Sequence, residues 1–343
     1  MMRLPLFEFR VPETVAEAAR ILDVEGPQTM PLAGGTDLLP NMKRRQQVPK
    51  TLMSLSRIAE LHQVKLSDSG SQFGACVTLS EIAADGRFRN GMTALAQAAS
   101  FVATPQIRNM ATLGGNLCLD TRCNYYDQNY EWRKAIGFCL KKDGDTCWVA
   151  PGSSKCMAVS STDTGPALMA LGARVRLVSR SGEREVPLTE LYQNDGIHYI
   201  KRQPNELLTE VLVDSLHGWK STYWKLRRRG SFDFPVLSVA AAAKISKSGV
   251  VEDARIVVGS VACLPLIATK ASKFLVGRPL NQESISEAAT LAARIAKPLD
   301  NTDFDMTWRK RVTAEFVTYA LRELRGDDMR GERLLLTRHS SSL

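Results

Sequence analysis

The order of elements along the chain predicts an α+β fold. In its first two hundred or so positions the apolar pattern switches between helical and strand periods, and its last third runs strands first, then helices. A third observation separates these parts from one another: residues 119–157 carry no regular apolar period, only aromatics, charges and cysteines, and read as an insertion that needs a staple of its own.

Taken in order, Thr14 and Glu17 form a capping-box pair, and Val15, Ala18, Ala19 and Leu22 fall on one helical face. Residues 29–33 read as a short buried strand that runs into Gly34 and Gly35, after which Thr36 or Asp37 caps a helix through residue 42. This strand, glycine turn and helix are expected in a similar arrangement at Ala111-Thr112-Leu113-Gly114-Gly115-Asn116, after a helical stretch at 92–102 and Pro105. Beyond the insertion come a helix at 164–171, an alternating strand at 174–178, the turn Ser181-Gly182, and strand-rich sequence to 213. Apolar strands at 222–228, 236–243 and 254–261 precede helices at 284–296 and 307–324. The charged, serine-rich tail after Gly326 is expected to fray. The boundaries expected are a ligand-binding domain over 1–218 that includes the insertion, an α+β domain over 219–326, and a tail over 327–343.

The 343 residues are 44% hydrophobic and 24% charged, as in an ordinary globular protein, and no apolar run approaches the length of a membrane span. Residues 1–12 lack the apolar core of a signal peptide, so the expected location is the cytoplasm, with no membrane partner. The formal charge of +9 is dispersed, with short basic runs only at 43–45 and 225–229. Without a nucleic-acid motif, these read as solvated or partner-facing patches, and no nucleic-acid partner is expected. Seven cysteines in such a chain point to reduced thiols or metal ligands rather than a disulfide framework.

The two glycine turns have two readings. Glycine lets a backbone approach a phosphate closely, and a helix start offers N–H donors to an anion, yet both could be plain tight turns. Neither turn carries a P-loop's Lys-Ser/Thr ending or the G-x-G-x-x-G fingerprint. In the insertion Cys123, Cys139, Cys147 and Cys156 are separated by fifteen, seven and eight residues. That spacing leaves open unligated thiols, a zinc site or an iron–sulfur cluster. Cys118 stands apart as a decoy, Cys76 and Cys263 read as buried thiols, and His62, His198, His217 and His339 form no ligand spacing.

As a pair, Pro31-Leu32-Ala33-Gly34-Gly35-Thr36-Asp37-Leu38 and Ala111-Thr112-Leu113-Gly114-Gly115-Asn116 resemble the FAD pyrophosphate loops of molybdenum hydroxylase flavoprotein subunits. Asp163 in Ser161-Thr162-Asp163 and Lys225 in Tyr223-Trp224-Lys225-Leu226 fit the same family order, so the resemblance extends over nearly the whole chain. It implies the family's FAD-binding fold of two subdomains, with the loops closing over the FAD diphosphate, plus the C-terminal sheet-and-helix lobe. Asp163 and Lys225 become candidate flavin or ribityl contacts, against the plain readings of a helix cap and a solvated strand lysine. Val102 is a candidate flavin-lining or core residue, and Asp233 a flavin contact or a turn former.

The run from Gly114 to Cys123, with Tyr125, Tyr126 and Cys139-Leu140-Lys141, is similar to the 4-hydroxybenzoyl-CoA reductase flavoprotein subunits, whose extra loop carries a 4Fe-4S cluster. By that resemblance Cys123, Cys139, Cys147 and Cys156 are the ligands. A flavin exchanges electrons in pairs or singly and a cluster one at a time, which implies an electron relay with no catalytic acid or base in this chain. Implied partners are a large subunit with the molybdenum cofactor, a small subunit with 2Fe-2S clusters and ferredoxin, in a dimer of heterotrimers that dehydroxylates 4-hydroxybenzoyl-CoA to benzoyl-CoA. Two alternatives are another aromatic or heterocycle molybdenum hydroxylase, and a zinc-stabilised nucleic-acid-binding module.

Overall fold

The computed structural model describes residues 3–338. Three sheets organise them. The first is parallel and small, in the order β1 (Glu8–Arg10), β3 (Thr51–Ser54), β2 (Thr29–Leu32). The second is antiparallel, in the order β4 (Val64–Ser67), β5 (Gly70–Gly74), β8 (Leu207–Asp214), β6 (Arg174–Ser179), β7 (Gly182–Pro187). The third, also antiparallel, is β12 (Leu266–Ile267), β11 (Val251–Gly259), β10 (Leu237–Ile245), β9 (Trp219–Leu226).

The first helix, Val15–Glu25, follows its sequence: Thr14 accepts from the Glu17 amide, and Ala18, Ala19 and Leu22 are buried. The Glu17 carboxylate reaches back to the amide of Glu13, one residue beyond the cap. The third sheet packs the long helices Gln282–Ala293 and Met306–Arg325 on one face, burying Ile285, Ala288, Phe316, Val317 and Leu321 against Val239, Ala241 and Ile256. At about 25 cal/mol per Å² of apolar surface removed from water, burying these side chains stabilises the lobe. Its other face, through Tyr223, Ala240, Ala242 and Val257, joins the core beneath the second sheet.

Three expectations need correction. The strand at 29–32 is half-buried rather than buried, because one side of it walls a cleft. The second glycine turn is not entered from a strand: the short helix Pro105–Arg108 precedes it, and Gly114 and Gly115 lie inside the helical turn Leu113–Leu117. The segment after Gly326 is helical over Arg330–Arg338, and Arg333 ties it down through Glu323 and the Tyr223 carbonyl. The insertion holds one helix, Tyr130–Ala135, among turns.

Candidate functional site

Two hollows lie side by side. The larger is a cleft of about 430 Å³, open to solvent, between the first two sheets and the start of the third. Pro31, Leu32, Ala33, Gly34, Gly35, Thr36, Asp37 and Leu38 line it, with Val102, Thr112, Gly114, Gly115, Asn116 and Asp163. Leu113 and Lys225 do not: Leu113 turns into the core, and Lys225 sits behind Asp163.

The two glycine turns touch. A Cβ on Gly34 would lie 1.7 Å from the carbonyl oxygen of Met110, just ahead of the second turn. Gly35 follows in the left-handed region at φ +68°, which glycine adopts without strain. This reverses the chain into the helix Leu38–Lys43, in whose first turn the Leu39 amide donates to the Gly35 carbonyl, the Asn41 amide to the Asp37 carbonyl, and Pro40 has no N–H. Asp37 stands at the cap position without capping; its carboxylate accepts from Asn41 and pairs with Arg122.

In the second turn the amides are already committed. Leu113 donates to Val77, Gly114 to Ala75, Gly115 to the Thr112 hydroxyl, and Asn116 to the Thr112 carbonyl. The Asn116 side-chain oxygen accepts from the Thr162 hydroxyl and from the Thr164 amide and hydroxyl, fastening the turn to the segment before Asp163.

Asp163 does not cap the helix Thr164–Ala170. Its carboxylate accepts from Tyr223 at 2.7 Å, and Lys225 Nζ lies 3.0 Å away, with both side chains of the ion pair almost wholly buried. Lys225 is therefore not the solvated strand lysine of the plain reading. Burial pushes the Asp163 carboxyl up and the Lys225 ammonium down, and each partner opposes the other's shift. Lys225 and Arg227 also donate to the Phe101 carbonyl at the end of the helix Thr93–Phe101, so part of the basic run at 225–229 is internal. Asp233 lines the cleft and binds Arg229.

The second hollow is much smaller and belongs to the insertion. Cys123, Cys139, Cys147 and Cys156 all line it, with Tyr125, Tyr126, Lys141 and Trp148. The four thiols are buried and unpaired. Among the described residues no three Cys, His, Asp or Glu side chains meet closely enough to hold one metal ion. The thiols ring a hollow and do not meet at a point. Burial pushes Cys123 up to about 12 and Cys156 up to about 11, so a metal would have to draw the protons off. The Ala158 amide donates to the Cys156 sulfur at 3.4 Å, and a Cβ on Gly196 would come within 2.7 Å of it. Cys118 and the buried Cys76 line the larger cleft, and the buried Cys263 adjoins the ring without lining its hollow, its thiol donating to the Cys156 carbonyl at 3.4 Å. His62, His198 and His217 are exposed; His339 lies outside the described residues.

Sequence reasoning missed the wall between the hollows. Arg122 is buried, with its guanidinium 4.6 Å above the Phe234 ring and bonds to Asn41 and Asp127. Arg44, in the basic run at 43–45, lines the cleft, and its carbonyl accepts from the buried Arg133 of the insertion. Tyr199, Arg202 and Phe232 complete the cleft. Nothing in their local sequence marked these residues as parts of one wall.

Comparison with known proteins fits this geometry. Residues 5–214 match the family model described as "FAD binding domain in molybdopterin dehydrogenase", and residues 221–324 match "CO dehydrogenase flavoprotein C-terminal domain". The chain is 31% identical over 324 residues to the aldehyde oxidoreductase FAD-binding subunit of Escherichia coli K12, covering 92% of this chain and 98% of that one. To the nicotinate dehydrogenase FAD-subunit of Eubacterium barkeri it is 29% identical, covering 88% and 87%. The fold superposes on reconstituted CO dehydrogenase from Oligotropha carboxidovorans with a TM-score of 0.78 at 25% identity, over 94% of this chain and 99% of that one. Among the described residues no helix is long and apolar enough to cross a membrane. The zinc-stabilised nucleic-acid module is left without support. The fold, the paired glycine turns and these matches together make the chain a member of the FAD-binding subunit family of molybdenum hydroxylases, the family of xanthine dehydrogenase and CO dehydrogenase.

Proposed function

We propose that this chain is the FAD- and 4Fe-4S-carrying subunit of a 4-hydroxybenzoyl-CoA reductase-type enzyme, supplied with electrons by a ferredoxin. When bound, the two groups exchange electrons in pairs and singly, so the chain would wire a one-electron donor to a distant reaction centre. The observation that supports this reading is the ring of Cys123, Cys139, Cys147 and Cys156 around one hollow beside the flavin cleft. Zinc draws its sulfurs to one point at about 2.3 Å, whereas a cubane of four irons takes one thiolate at each corner. Thiols spread around a cavity suit the second arrangement.

For FAD, the first turn offers a glycine-lined approach at Gly34 and Gly35, and Thr112, Asn116 and Asp163 line the same cleft. Lys225 would act through Asp163, holding the carboxylate in place behind the ligand. No side chain here is given an acid or base role. The substrate and molybdenum cofactor would sit on a large partner and the 2Fe-2S clusters on a small one, in a cytoplasmic dimer of heterotrimers. Relatives named for nicotinate, aldehydes and carbon monoxide share this subunit, so substrate choice lies with the partner.

The test is iron and flavin analysis of the anaerobically purified complex, EPR after reduction, and serine replacements at the four cysteines. Turnover of 4-hydroxybenzoyl-CoA with a low-potential donor is then compared with oxidation of heterocycles and aldehydes by an artificial acceptor. The expected result is one FAD and four irons in this chain, the iron lost on replacement, and reductive turnover. FAD without iron would remove the cluster, and turnover confined to the oxidative substrates would remove the reductase.

A further inference from the structure

Between the two hollows lies a buried ion pair with one member on each side. Lys141 lines the cysteine cavity and Asp120 lines the flavin cleft. Their side chains are each 6% exposed, and Lys141 Nζ is 2.8 Å from Asp120 Oδ1. The Thr121 hydroxyl at 2.7 Å and the Gly196 carbonyl at 2.6 Å accept the other two ammonium protons. The Tyr126 ring lies 4.8 Å from the nitrogen and the Tyr199 ring 5.5 Å. Asp120 in turn accepts from the Tyr126 hydroxyl and the Thr121 amide. The ammonium is also linked to the cysteine ring through Gly196, whose amide donates to the Cys156 carbonyl.

So heavily bonded a pair has one orientation, positive toward the sulfurs and negative toward the flavin cleft. We infer that Lys141 and Asp120 form a fixed dipole in the wall between the two centres that sets the reduction potential of the cysteine-bound cluster. The inference rests on reading the four cysteines as ligands of an iron–sulfur cluster. Reduction adds one electron to an already anionic centre. In a dry wall the nearby cation stabilises that electron, while the carboxylate behind it opposes it. Lys141 is a positioning residue for charge and touches no reacting atom of the substrate.

The experiment is an EPR-monitored redox titration of the cluster in the complete complex, on wild type, Lys141→Met, Lys141→Arg and Asp120→Asn, with iron and FAD measured on each sample. Lys141→Met is expected to lower the midpoint by on the order of tenfold in the one-electron equilibrium, equivalent to about 59 mV. Lys141→Arg keeps the wild-type value, and Asp120→Asn raises it by less. The opposite signs are diagnostic, because water admitted by loosened packing would stabilise the reduced cluster and raise the potential in both variants. Unshifted potentials, or shifts of the same sign, with iron retained overturn the inference and leave the cluster reading standing. Wild type without iron overturns both and is seen in the analysis itself. If Lys141→Met takes up no iron, Lys141→Gln stands in for it with the same expected fall, and a potential at or above the wild-type value overturns the dipole.

Discussion

The two glycine turns carry nearly the same letters and do different work. In the first, Gly34 is required by a neighbour's backbone and Gly35 by its own dihedral angle, while the helix start beside them faces the cleft. In the second, the amides from Leu113 to Asn116 are spent within the protein, and what faces the ligand is a wall held by Asn116 and, through Asp163, by Lys225. A Gly-Gly pair therefore marks a place of close approach without saying what approaches. In one turn it is another loop; in the other it is Ala75 behind the helix, whose carbonyl oxygen lies 2.9 Å from where a Cβ on Gly114 would be.

The support behind the second turn is where the largest effect is expected. Replacing Lys225 with Met leaves the Asp163 carboxylate buried with Tyr223 as its remaining donor, a loss of about 3–5 kcal/mol for breaking a buried pair from one side. Urea unfolding should show that loss, and Asp163→Asn combined with Lys225→Met should cost less than the sum of the single changes. Strict additivity would mean the pair contributes no coupling and the wall stands without it.

These two turns were legible in the sequence to different depths. Pro31 to Leu38 and Thr112 to Asn116 stand out because glycine pairs beside helix starts are local features, and all but Leu113 line the cleft. That the four insertion cysteines gather around one hollow was legible as well, because an apolar period that fails over residues 119–157 while thiols recur asks for a shared staple, whereas what they hold came from the resemblance alone. Lys225 and Asp163 were legible only by family order, since a lysine in a strand and an aspartate before a helix have common plain roles, which this structure replaces with a buried pair. Lys141, Asp120 and Arg122 were not legible as a wall. Their partners, Gly196, Tyr199, Asn41 and Phe234, are remote in sequence, and such contacts leave no periodic trace. The tail was misread because its helix is fixed from outside, by Arg333 on Glu323 and Tyr223, and composition alone describes only the solvated state.

The contrast is sharpened by placing one substitution in both turns. Gly34→Ala puts a Cβ onto the Met110 carbonyl, a backbone atom that cannot swing aside, so the loops must part. A cost of about 3 kcal/mol is expected, at the upper end of overpacking effects, together with loss of FAD from the purified chain, read by thermal unfolding and flavin absorbance.

Gly115→Ala is the smallest change and the more searching one. Its Cβ would lie 2.9 Å from the Thr112 hydroxyl, which belongs to a side chain that can rotate away. Rotation sacrifices the cap bond to the Gly115 amide, worth about 1 kcal/mol, while alanine inside a helical turn recovers about 0.5–1 kcal/mol over glycine. The two nearly cancel, so stability should stay within about 0.5 kcal/mol of wild type and FAD should remain bound. A Gly115→Ala protein that keeps its stability but sheds the flavin would show that the ligand itself, and not Thr112, needs the space above that glycine. The two turns would then share the work of binding the diphosphate despite their different amides. Retention of FAD would assign the close approach to the first turn and leave the second as its buttress.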